Sequence, residues 1–120
     1  MIFNKLVRDK IPEIIAQQGK KVTFRAVRGE ELKQALKDKL IEEAIELVNA
    51  ETEEQIIEEI ADLQEVLAEI TREFIETGCN FPKVDNMRNK KEREKGGFEK
   101  GYFLESVEDE DEQSAMESNI

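Results

Sequence analysis

Two stretches of this chain repeat apolar residues at three- and four-residue spacing over several turns, a rhythm that a pair of long helices satisfies and a strand does not. The first runs from Glu30 to about Ala50, on Leu32, Ala35, Leu36, Leu40, Ala44, Leu47 and Val48. The second runs from about 53 to 77, on Ile56, Ile57, Ile60, Leu63, Val66, Leu67, Ile70 and Phe74, and stops at Gly78. Between them Thr52 reads as an N-cap, with Gln55 three residues on completing a capping box. Helices joined by so few residues must return antiparallel, so the predicted fold is all-α: a helical hairpin or bundle with short flanking helices and extended segments. Leu36, Leu40, Leu47 and Ile60 are expected in its core.

Pro12 suits the first turn of a helix and Gly19 its end, which predicts a short helix over 11–18 with Ile11, Ile14 and Ile15 on one face. Val22, Phe24, Ala26 and Val27 read as extended chain or a brief strand. Residues 78–82 (GCNFP) form a break, and a basic helix is predicted over 83–95, ending at Gly96-Gly97. The run FEKGYFLE is then expected to be extended and packed on the body through Phe98, Tyr102 and Phe103.

A chain of 120 residues holds one domain, assigned to 1–105, and its modest core makes oligomers unsurprising. Residues 105–120 carry seven acids and no Lys or Arg, and 106–120 are expected to form a disordered acidic tail. The net charge of −11 argues against nucleic acid as the main partner. No apolar run approaches the length of a membrane span, and MIFNKLVRDK has charges where a signal peptide needs an apolar core. A cytoplasmic protein is expected, in agreement with the single cysteine, Cys79.

The chain contains no histidine. Ser-His-Asp and Cys-His catalysis are excluded, as are His-ligated metals, and one cysteine cannot build a thiolate zinc site. Any bound metal must use oxygen ligands, which selects Mg²⁺, Mn²⁺ or Ca²⁺. The two long helices carry Glu43-x-x-Glu46 and Glu59-x-x-Asp62, each pair on one helix face. Glu46 and Glu59 are equidistant from the junction near Thr52, and so are Glu43 and Asp62. If both pairs face the partner helix, four carboxylates converge, and protons or a cation must offset their repulsion. Mg²⁺, with Mn²⁺ as a substitute, suits such a site, and a carboxylate-held metal suits phosphoanhydride hydrolysis without a protein nucleophile. Acids are abundant here, and Glu42, Glu53, Glu54, Glu58 and Glu65 read as solvated surface. Ca²⁺ binding is a weaker alternative, since no EF-hand loop is present.

The run Lys39-Leu-Ile-Glu42-Glu43-Ala-Ile-Glu46, followed after a spacer by Glu59-Ile-Ala-Asp62, resembles the signature of the MazG-like all-α NTP pyrophosphatase superfamily. Asn4-Lys-Leu-Val-Arg-Asp-Lys-Ile-Pro12 and Lys95-Gly-Gly-Phe-Glu-Lys-Gly-Tyr102 resemble its phosphoribosyl-ATP pyrophosphohydrolase-like branch, and the resemblance covers roughly residues 3–105. It implies hydrolysis of the α–β phosphoanhydride of a nucleoside triphosphate or related nucleotide, giving a monophosphate and pyrophosphate. It also implies Mg²⁺ on Glu43, Glu46, Glu59 and Asp62, and homodimers or homotetramers formed through the helices.

Several cations are candidates for the phosphates. Lys39, one turn before Glu43, either contacts a phosphate or pairs with Glu43. Arg8 and Lys10 read as ordinary surface charge from the residues alone; the resemblance makes them phosphate or interface groups, with Asp9 orienting one of them. Lys90, Lys91, Arg93 and Lys95 form either a solvated helix face or a lid hinged at the glycines, in which Arg93 could grip a phosphate bidentately. Glu46 is the candidate to accept a proton from the attacking water. The competing reading is a non-catalytic interaction or regulatory module on the same helical scaffold, with the acidic tail as its contact.

Overall fold

The computed structural model describes residues 1–76 and 78–108. The described residues form four helices and no strand: α1 (Ile11–Gln17), α2 (Gly29–Asn49), α3 (Glu53–Phe74) and α4 (Asn80–Lys95). The chain divides into two compact units, Met1–Asn86 and a second beginning at Met87.

In the first unit α2 and α3 pack on each other as the hairpin that their periodicity predicts. The turn between them is tied as expected. Gln55 N–H donates to Thr52 Oγ1 at 3.1 Å, and Gln55 Oε1 accepts from the N–H groups of Thr52 and Glu51 at 3.3 and 2.9 Å. This offsets donors that the first turn of α3 would otherwise leave unmatched. At the other end α3 stops at Phe74, where Ile75 turns extended, rather than continuing to 77. Asn80 Nδ2 reaches back to the Thr71 carbonyl at 3.5 Å, close to one of the carbonyls that lose helical partners there.

Three further expectations are corrected. α4 begins at Asn80, not 83, because Pro82 falls in the first turn, where the N–H it lacks has no helical acceptor. Residues 22–27 are extended chain, the first of the two forms read for them, and the brief strand is not made, because it needs a partner edge and none is offered among the described residues. Ile60 is exposed, and so are Ile41, Ile45, Val48, Ile56, Ile57 and Leu67. Among the described residues, Leu32, Leu36 and Val66 are the buried apolar ones, and Leu40, Leu47, Leu63, Ile70 and Phe74 are half-buried. A two-helix seam buries one stripe of each helix, and these helices carry apolar residues over a wider arc than one seam covers.

The second unit begins with the rest of α4, which Gly96 follows with φ +81, a left-handed stop that favours glycine. A turn closed by Gly101 N–H on the Phe98 carbonyl at 3.1 Å follows. Phe98, Tyr102 and Phe103, expected to pack, are 99, 86 and 89% exposed. Most of the acidic tail, 109–120, lies outside the described residues.

Candidate functional site

Glu43 lies on the same stripe of α2 as Leu36, Leu40 and Leu47, so the helix aims it at α3 rather than at solvent. Only 5% of it is exposed. Across the seam, the stripe of α3 that carries Leu63 and Val66 also carries Glu59 and Asp62. Glu43, Glu59 and Asp62 each bring a carboxylate oxygen within 4.8 Å of the other two. Glu42, Glu43 and Glu46 form a second trio within the same limit, so Glu43 belongs to both. The two mirror-placed pairs thus meet in one place, with Glu46 at the exposed margin.

The chemistry of this cluster is set by what it lacks. Glu43 Oε2 and Glu59 Oε2 are buried without a hydrogen-bond partner. Desolvation, followed by proton sharing with Glu46 and Glu43 and their negative charge, pushes the Glu59 carboxyl up from 4.5 to about 7. The metal-free cluster therefore holds a proton at or below neutrality. Hard oxygen donors, crowded and incompletely satisfied, fit a divalent cation of the Mg²⁺ class.

Three cations border the acids. Lys39 Nζ lies 3.2 Å from Glu43 Oε1 and 3.5 Å from Glu42 Oε1, with 16% of its side chain exposed. The pairing with Glu43, one of the two readings for Lys39, is present and leaves its head at the margin of the cluster. Lys5 Nζ donates to Glu42 Oε1 at 2.9 Å, and Arg8 Nη2 donates to Asp62 Oδ1 at 2.8 Å. The hydrogen bond from Lys5 holds the Glu42 carboxyl below its ordinary range, and the same bond raises Lys5. Between Asn4–Leu6 and α2, a pocket of about 80 Å³ is lined in part by Lys5, Asp38, Lys39 and Glu42.

Glu42 is thus a bridged member of the cluster and not the solvated surface residue expected. Lys39, three residues earlier on α2, is the local sign of this, whereas Lys5 reaches Glu42 from 37 residues away. Arg8 is drawn to the acids, but by Asp62; Asp9 makes no ion pair among the described residues. Lys10 is exposed at the N-cap of α1. Lys91, Arg93 and Lys95 are exposed on α4 in the second unit, and the cluster is built from the first unit alone. Comparison with family models, curated proteins and solved structures returns no match.

Proposed function

We propose that this protein is a Mg²⁺-dependent nucleotide pyrophosphohydrolase of the MazG-like all-α type. It would cleave the α–β phosphoanhydride of an NTP, a dNTP or a related nucleotide such as phosphoribosyl-ATP, releasing a monophosphate and pyrophosphate. The observation that carries this reading is the buried Glu43 carboxylate with an unpartnered oxygen, at the meeting point of acids from both helices. The chain has no histidine, its one thiol, Cys79, is not among the cluster residues, and an acid-held cation needs neither.

Glu43, Glu59 and Asp62, with Glu46 beside them, would hold the metal. When bound, Mg²⁺ supplies phosphate charge neutralisation and makes a water more acidic. Glu46, at the exposed margin, is positioned to accept the proton as the water oxygen bonds to phosphorus and the anhydride oxygen leaves with pyrophosphate. Lys39 holds Glu43 in place and adds positive charge towards the phosphates. Arg8 and Lys10 on the N-terminal segment, and Lys91, Arg93 and Lys95 on α4, are further candidates for the phosphates.

A pocket of about 80 Å³ is far smaller than the few hundred Å³ that nucleotide-sized ligands occupy. The nucleotide reading therefore calls for walls beyond those of this pocket. The exposed isoleucines of the hairpin favour a second copy of the chain as their source, in a homodimer or homotetramer.

The test is a panel of NTPs, dNTPs and phosphoribosyl-ATP incubated with Mg²⁺, with pyrophosphate and monophosphate both quantified. Equal yields of the two are expected. Release of inorganic phosphate alone would place the cleavage elsewhere, and no turnover by a chain that binds Mg²⁺ would favour an interaction module.

A further inference from the structure

Two of the cations that meet the acids come from outside the helices. Residues 4–8 form no helix; Asn4 has a left-handed φ of +47, and the segment lays Lys5 on α2 and Arg8 on α3. The two contacts differ. Lys5 bonds to Glu42, which Lys39 also holds, so that end is anchored in a small charge network. Arg8 bonds to Asp62, one of the three acids that converge across the seam, and its side chain is 56% exposed. Arg8 therefore supplies in the metal-free protein part of the positive charge that a cation among Glu43, Glu59 and Asp62 would supply.

We propose that Lys5 and Arg8 form a cationic strap over the acid cluster, and that a divalent cation entering it displaces Arg8 from Asp62 and frees the guanidinium for the substrate's phosphates. The inference rests on the metal-dependent nucleotide reading above and adds to it a positioning role and an order of events. Two positive charges on one carboxylate repel, and they compete for the same electron density. Arg8 is the partner able to leave, being exposed and on irregular chain, while Lys5 keeps the segment close. A planar guanidinium released beside the metal can bind a phosphate through two parallel hydrogen bonds, which lysine cannot.

The alternative is that Asp62 keeps Arg8 on Oδ1 and offers Oδ2 to the metal, so that Arg8 orients the ligand. The two arrangements give opposite signs. In the strap, Arg8→Gln binds Mn²⁺ more tightly than the wild type without nucleotide, by about two- to fivefold, the range of an exposed ion pair. The gain shrinks at high KCl. Arg8→Lys restores wild-type Mn²⁺ affinity through its charge, and both variants bind inorganic pyrophosphate more weakly in the presence of Mn²⁺.

Titration of the full-length chain with Mn²⁺, followed by electron paramagnetic resonance, measures these affinities. A second readout needs no variant: the Arg8 guanidinium resonance in ¹⁵N-arginine protein should lose its protection from exchange as Mg²⁺ saturates the site. Equal or weaker Mn²⁺ binding by Arg8→Gln, or an unchanged Arg8 resonance, overturns the strap and leaves the hydrolase reading standing. Absence of Mn²⁺ binding by the wild type overturns both.

Discussion

Glu43 stands where a two-helix seam would ordinarily place a leucine. Lys39 meets one of its oxygens, and the other has no hydrogen-bond donor among the described residues. A buried, half-satisfied carboxylate destabilises a fold that has few buried apolar residues to offset it. Glu43→Leu should therefore raise the stability of the metal-free protein by about 1 kcal/mol, read as a higher melting temperature, while removing stabilisation by Mg²⁺. A lower melting temperature would show that the Lys39 pair outweighs the burial cost. Glu59 makes the same point through pH. Its carboxyl titrates at about 7 in the fold against 4.5 ordinarily, so the folded state prefers the protonated form. That contribution is complete below 4.5 and is lost as pH rises to about 7. The metal-free protein should soften across this window, and Glu59→Gln should flatten the trend when melting is followed from pH 4.5 to 8 with chelator. Glu59→Gln and Asp62→Asn should also abolish pyrophosphate release, so turnover persisting in either would remove these acids from the site.

At the level of the element, what was legible was what is local. The two long helices and the Thr52–Gln55 box depend on neighbours within a few residues and are found as read, although α3 stops at Phe74 and several of its periodic apolar residues stay exposed. Thr52→Ala should cost about 1 kcal/mol, the usual worth of such a cap, and lower the thermal midpoint by several degrees. A smaller loss would assign the turn's order to the packing of α2 on α3. Residues 22–27 are extended, one of the two forms read for them; the strand does not form because β-branched alternation indicates only that one could, and an accepting edge is a property of the whole fold. Pro82 misled in the opposite direction, its helix-breaking habit being harmless in a first turn. The ion pairs of Lys5 and Arg8 join side chains far apart in sequence, and no periodicity encodes them.

For the molecule as a whole, the exposed apolar residues on the hairpin are the largest departure from expectation. Ile45 and Ile60 are equidistant from the turn, and so are Val48 and Ile57, so this surface concentrates at the closed end of the hairpin. Covering it with a second copy would bury what one seam cannot. Sedimentation at rising concentration should show a dimer or tetramer, and Ile45→Lys with Ile60→Lys should shift it towards monomer; a wild type that stays monomeric throughout would leave these side chains to another partner. The capped turn carries a last consequence for how this chain can vary. Thr52 pins the start of α3, and Glu59 follows about two helical turns later. That interval works as a ruler. Residues added at the open end of the hairpin merely lengthen it, whereas one extra residue between the cap and Glu59 swings both acids by about 100°. The chain must then sacrifice either the knot at the turn or the meeting of its acids, so length variation among natural versions should be confined to the open end.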